Sequence, residues 1–213
     1  MATSAIIGSS GLIGSFLLNQ MLEDAYYEKI KILVRRNPEI SHPKIDVQLV
    51  NFEVQEELEA AIAGCESVFC SVGTTTKKVK GDKAAYRKVD FDIPVAVARA
   101  CEKTNAPRFL LVSSVGASSK SKNFYLKLKG EVEDAVQKMT IPAVSIYRPS
   151  MLIGKKTEFR PAERIFQPIS QFFAFLTPGI YRPVKAAVVA ARMIEDSKSD
   201  SAGFRVLHFG GKE

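Results

Sequence analysis

Ser4-Ala5-Ile6-Ile7-Gly8-Ser9-Ser10-Gly11-Leu12-Ile13-Gly14 is the stretch on which the fold turns. A short apolar run, Ala5–Ile7, stops at Gly8, and a polar turn follows. Leu12, Ile13, Phe16, Leu17 and Met21 then recur at helical spacing. The pattern predicts a strand, a phosphate-binding turn and a helix. Gly8 suits the backbone of a sharp strand-to-helix turn, Gly11 lets a pyrophosphate approach the main chain, and Gly14 lets the helix pack on the strand. Free N–H groups and the positive dipole end of the helix would face the phosphates. Ser10, Gly11, Leu12, Ile13 and Gly14 are therefore candidate contacts to a dinucleotide, together with Gly8. The spacing is G-x-x-G-x-x-G, which departs from the common G-x-G-x-x-G.

Beyond the turn, strands and helices alternate. Lys29–Arg36 predicts a second strand ending in two arginines, broken by Asn37-Pro38. Asp46–Phe52 predicts a third strand, Glu56–Gly64 a short helix stopped by its glycine, and Ser67–Val72 a fourth strand. A basic loop follows, with Lys77, Lys78, Lys80 and Lys83. Asp82–Thr104 is helical in pattern, but Pro94 must kink or restart it, with Asp90 or Asp92 available as a cap. Arg108–Ser113 and Ala143–Tyr147 read as strands flanking a helix at Asn123–Met139. Val184–Ile194 predicts a further helix and Phe204–Phe209 a last strand. The expected fold is α/β: a single doubly wound, mainly parallel Rossmann-type sheet with helices on both faces. Ligands in such sheets bind at strand carboxyl ends. That rule nominates Arg35, Arg36, Phe52, Val72, Gly73, Thr74, Ser113, Ser114 and Arg148–Leu152.

Composition narrows the function classes. The chain has 213 residues, 46% hydrophobic and 25% charged, which is ordinary for a globular protein. No apolar run reaches roughly 18 residues, and Met1-Ala2-Thr3-Ser4 runs directly into the first strand. Neither a signal peptide nor membrane insertion is expected. The 3 cysteines, Cys65, Cys70 and Cys101, lack metal-ligand spacing and predict reduced thiols in the cytoplasm. The formal charge of +7 is spread along the chain, without an arginine-rich helix or aromatic-interleaved strand. It predicts attraction of an anionic cofactor or substrate instead of nucleic-acid binding.

The helix Asn123–Met139 carries an anomaly. At about 100° per residue, Tyr125, Lys129, Val132, Val136 and Met139 share a stripe roughly 80° wide, the face expected to pack inward. Lys129 is the one charged residue in that set, one turn after Tyr125. A snorkelling lysine accounts for the pattern, and so does a proton-transfer pair. An ammonium beside a phenol favours its ionised form, and such a phenol can exchange a proton with a carbonyl or carbinol oxygen. Ser113 and Ser114 stand at the neighbouring strand end to hold that oxygen.

Gly8-x-x-Gly11-x-x-Gly14, Tyr125-x-x-x-Lys129 and the strand-end serines together resemble the short-chain dehydrogenase/reductase superfamily. Cys70-Ser71-Val72-Gly73-Thr74-Thr75, Val89-Asp90-Phe91-Asp92, Leu111-Val112-Ser113-Ser114-Val115-Gly116-Ala117, Tyr125–Glu133 and Tyr147-Arg148-Pro149 resemble its atypical branch, in order along nearly the whole chain. The resemblance implies Tyr125 as catalytic acid/base and Lys129 as the residue that tunes it and holds the nicotinamide ribose. It implies Ser114, before Ser113, as the active serine, although the separation from Tyr125 is shorter than in most of the superfamily. It also implies that Leu152 lines the nicotinamide pocket, that Arg148 and Arg160 approach the cofactor, and that a short segment at about 155–183 covers a small substrate. Phe166, Phe172, Phe173 and Phe175 could line that pocket or pack elsewhere.

The second strand suggests which dinucleotide is bound. NAD-preferring sites place a carboxylate there for the ribose 2′-hydroxyl. Arg35-Arg36 occupies the position, with no acid before Glu39. Guanidinium groups suit a 2′-phosphate, so NADP(H) is expected over NAD(H). The expected function is an NADP(H)-dependent oxidoreductase for a small carbonyl or alcohol, acting as a monomer or homodimer. The alternative is a non-catalytic NADP(H)-binding regulator.

Overall fold

The computed structural model describes residues 2–154 and 179–209. Its main sheet has seven strands: β1 (Ala2–Ile7), β2 (Tyr27–Val34), β3 (Ile45–Leu49), β4 (Ser67–Cys70), β5 (Arg108–Val112), β6 (Ala143–Arg148) and, after a short pair described below, β9 (Gly203–His208). Their order is β3-β2-β1-β4-β5-β6-β9, and each neighbouring pair is parallel. The order reverses between β1 and β4, the place where a doubly wound sheet opens a crevice at its carboxyl edge. Central strands in such a sheet are covered on both sides and therefore read as unbroken apolar runs. Ala5-Ile6-Ile7 and Phe109-Leu110-Leu111 are such runs, and all six residues are buried.

One face carries α2 (Gln55–Ile62), α4 (Ile93–Lys103) and α5 (Phe124–Gln137), whose Leu58, Val97 and Val132 pack on Val68 and Phe109. The other carries α1 (Leu12–Glu23) and α6 (Ala186–Ser197), with Leu17 and Met193 against Ile6 and Tyr147. A two-stranded parallel pair, β7 (Leu152–Ile153) with β8 (Val184–Lys185), lies apart from the main sheet. Runs of two residues have no periodicity to read, so this pair leaves no sequence signature.

The expected Asp82–Thr104 helix is divided in three. α3 (Lys83–Arg87) begins at Asp82, whose carboxylate accepts from the N–H groups of Ala84 and Ala85 at 2.8 and 3.1 Å. A π-helical turn, Lys88–Asp92, follows, and α4 starts with Pro94 in its first turn. Pro94 thus sits where its missing N–H is harmless. Neither Asp90 nor Asp92 caps α4: no side chain caps it, and Asp90 is turned into the interior at 1% exposure. In α5 the expected boundaries hold to within two residues, and Asn123 caps it through the Leu126 N–H. Most of the expected 155–183 segment, including Arg160, Phe166, Phe172, Phe173 and Phe175, lies outside the described residues.

Candidate active site

The β1–α1 turn is built by backbone contacts that exclude side chains. Gly8 has φ +90°, and a Cβ there would lie 2.9 Å from the backbone of Ser71 and Val72. A Cβ on Gly14 would come within 2.0 Å of the Gly8 carbonyl oxygen. The Gly11 N–H closes the turn by donating to that same oxygen at 2.8 Å. Helix α1 then starts with no side-chain cap and no acid in its first turn. Its first N–H groups and the positive dipole end are left for an anion.

A groove of about 670 Å3 runs from this turn across the strand ends. Gly8, Ser10, Gly11, Arg35, Arg36, Phe52, Val72, Gly73 and Thr74 all line it. No Asp or Glu is among its described lining residues, whereas Arg35, Arg36 and Lys78 are. A cleft of about 1070 Å3 adjoins the groove through Arg35, Phe52, Val89 and Ile93. Arg36 borders the groove but not the cleft.

Gly11, Val72, Gly73, Thr74 and Lys78 are shared with a second pocket, of about 260 Å3, which holds the proposed chemistry. Leu12, Ile13, Ser113, Ser114, Tyr125, Lys129 and Leu152 line it. Residues far apart in the chain thus converge because β1, β4, β5 and β6 end at one edge. Tyr125 is 36% exposed, and the Lys129 ammonium lies 6.0 Å from its ring centroid. Lys129 is buried, and burial opposes its charge. Asp90, followed by Tyr125, outweighs that effect and raises its pKa above the ordinary lysine value.

Two acids in this region were not assigned to the site from the sequence, although Asp90 was considered as a helix cap. Asp90 pairs with Lys129 at 3.0 Å and accepts the Thr74 N–H at 2.7 Å. Glu133, at 5% exposure, accepts the Ser113 hydroxyl and two N–H groups of Arg148, one of them Nε at 3.1 Å. The inward face of α5 therefore holds two charges, Lys129 and Glu133, where the helical stripe predicted one. Glu133 escapes the stripe because it lies about 40° outside the edge marked by Lys129, and its burial depends on a partner 15 residues away. The i, i+4 spacing from Lys129 points to the wrong partner, since Lys129 pairs with Asp90 and Glu133 with Arg148.

Arg148 is held by Glu133 and, unlike Pro149 and Leu152, does not line the pocket. Ser113 and Ser114 both line it, but their hydroxyls differ: that of Ser113 is held by Glu133, and that of Ser114 makes a 3.3 Å contact with the Val115 carbonyl. Lys78 was expected only as part of a basic loop. It borders both the groove and the pocket.

These features fit a dinucleotide. The cradle at Gly8 and Gly14 admits no side chain, the uncapped helix start offers N–H groups, and the groove walls carry cations. Comparison with known proteins agrees. A profile of an NAD(P)H-binding family matches residues 8–161. The rat protein HTATIP2 is 32% identical over 161 residues, covering 74% of this chain and 66% of that protein, so the match spans just under two thirds of the relative's length. The mitochondrial protein FMP52 of Coccidioides immitis is 32% identical over 174 residues, covering 76% of this chain and 71% of that protein. Among solved structures, Bordetella bronchiseptica WbmH in complex with NAD+ superposes with a TM-score of 0.74 at 16% identity, covering 99% of this chain and 76% of that one. The Lactococcus lactis oxidoreductase ylbE gives 0.70 at 18% identity, covering 99% and 92%. At such identities the structures show the shared fold. The chain belongs to the NAD(P)H-binding family, as an atypical short-chain dehydrogenase/reductase with a Rossmann fold.

Proposed function

We propose that the chain is an NADP(H)-dependent oxidoreductase acting on a small carbonyl or alcohol, with Tyr125 as its acid/base. The observation that carries the chemistry is the meeting of Tyr125, Lys129 and Ser114 in a pocket continuous with the dinucleotide groove. The observation that favours NADP(H) is a groove bordered by Arg35, Arg36 and Lys78 without a described carboxylate. A carboxylate would repel the 2′-phosphate that guanidinium groups attract.

When bound, the nicotinamide supplies a hydride, with its electron pair, to the carbonyl carbon. Tyr125 donates its phenolic proton to the carbonyl oxygen, so the product is the neutral alcohol, and oxidation runs the same transfers in reverse. Lys129, cationic below its raised pKa, can donate to ribose hydroxyls. Ser114 holds the reacting oxygen with its hydroxyl. A pocket of about 260 Å3 among the described residues supports the reading of a small substrate.

The competing reading is a non-catalytic NADP(H) sensor, which needs the groove and not the chemistry of the second pocket. NADPH oxidation across a panel of aldehydes, ketones and quinones separates the two. Turnover should occur and be lost in Tyr125→Phe while NADPH still binds. Unchanged turnover in that variant removes Tyr125 from the mechanism.

A monomer or homodimer and a cytoplasmic location belong to this proposal. The fungal relatives are mitochondrial by name, and no described helix is long and apolar enough to cross a membrane.

A further inference from the structure

We infer that Asp90 is a positioning residue of this site, locking the Lys129 side chain to the Thr74 backbone so that the acid/base helix and the strand-end turn keep one fixed geometry. The inference rests on the reading of the groove as an NADP(H) site. Asp90 lies on the π-helical turn between α3 and α4. Such turns interrupt helices at functional positions and redirect the side chains they carry. Both carboxylate oxygens are used: Oδ1 meets the Lys129 ammonium at 3.0 Å, and Oδ2 accepts the Thr74 N–H at 2.7 Å. The exposure of the two side chains, 1% for Asp90 and 6% for Lys129, leaves little water to replace either contact. Thr74 is held from its other side by the Tyr86 hydroxyl, which donates to its carbonyl at 3.3 Å. The same turn leads to Lys78 on the rim.

The electrostatic consequence is specific. Burial alone pulls the pKa of Lys129 down, and Asp90 is the largest influence that raises it. A neutral lysine would not donate charge-assisted hydrogen bonds to a ribose. The other groups facing Lys129 are Tyr125 on its own helix and the Cys70 thiol of β4. Tyr86 of α3 interacts with Asp90 and Tyr125, and Lys78 borders the same pocket. Among these, Asp90 is the carboxylate in contact with the ammonium.

The test follows the Lys129 side chain by NMR in 13C,15N-labelled protein, with assignment from Lys129→Arg. In the parent protein, Lys129 should titrate above the ordinary lysine range. In Asp90→Asn its midpoint should fall by at least about one unit. The variant's affinity for NADPH, read by fluorescence, should then weaken roughly tenfold as pH rises across that lowered midpoint. Asp90→Glu, which keeps the charge, should restore most of the midpoint. Equal midpoints in parent and Asp90→Asn overturn the inference, as does a pH-independent loss of affinity. If Asp90→Asn does not fold, the parent titration decides: a Lys129 midpoint at or below that of ordinary lysines refutes the inference, and one above them supports it. If the parent protein fails to bind NADPH, the cofactor reading fails, and the Lys129 midpoints still decide the role of Asp90.

Discussion

Ser113 donates its hydroxyl to Glu133, which also takes the Arg148 guanidinium, whereas the Ser114 hydroxyl meets the carbonyl of its neighbour Val115 at 3.3 Å and lines the same pocket as Tyr125. Substitution should separate the two roles. Ser113→Ala removes a buried bond to a charged partner and should cost about 1.5–3 kcal/mol of stability. Ser114→Ala should leave the melting temperature nearly unchanged and lower turnover by about 100-fold or more if its hydroxyl stabilises the reacting oxygen. Melting curves and kinetics on the two variants decide the assignment, and the reverse pattern would transfer the catalytic role to Ser113.

Lys78 stands where the groove meets the pocket, whereas its neighbour Lys77 lines neither. Lys78→Ala should weaken NADPH binding by about 3–10-fold and reduce its dependence on salt. Lys77→Ala should do neither. Titration at two ionic strengths provides the comparison, and equal effects would mean that only the loop's overall charge matters.

Gly130 follows Lys129 directly, and a Cβ there would lie 2.2 Å from the backbone of Ser118 and Ser119. Backbone cannot swing aside as a side chain can. Gly130→Ala should therefore cost at least about 1–3 kcal/mol, a fall of roughly 2–12 °C in melting temperature. Lys127→Ala, on the exposed side of the same helix, loses only a 4.0 Å surface pair with Glu131 and should shift it by at most about 2 °C. Comparable melting temperatures for the two variants would contradict the packing described at Gly130.

Burial pushes the Cys65 thiol up to about 11 and the Cys70 thiol from 9.0 up to about 12. Both should resist thiol reagents in the native protein and react on unfolding. Because these folded-state values are raised, the stability linked to Cys70 is fully present below pH 9.0 and is lost as pH climbs toward about 12. The melting temperature should fall over that window, less steeply in Cys70→Ala. Identical slopes would show that this thiol does not titrate with unfolding.

The sheet was legible because its signals are local. Ala5–Ile7 and Arg108–Ser113 are apolar runs of strand length, and Gly8 marks a turn that only a residue tolerating φ +90° makes easily. Ser114 and Leu152 were expected at this edge by the strand-end rule, and Tyr125 and Lys129 beside them by the helical stripe and the family resemblance; all four line one pocket. Asp90 and Glu133 were not expected there, because a charge pattern along one helix does not show which carboxylates find partners on other elements. Each is buried against a cation from elsewhere in the chain, at 3.0 Å for Asp90–Lys129 and 3.1 Å for the Nε contact of Arg148 with Glu133. The π-helical turn at Lys88–Asp92 was hidden for a similar reason: Pro94 announces an interruption without specifying its form.

The central claim is that Arg35 and Arg36 make this groove an NADP(H) site. Calorimetric titration of the parent protein and of the Arg35→Ala, Arg36→Ala double variant with NADPH and NADH tests it most directly. The parent should bind NADPH at least about tenfold more tightly than NADH, a difference of about 1.4 kcal/mol, and the double variant should bind the two alike. Equal affinities in the parent, or a preference for NADH, would contradict the claim.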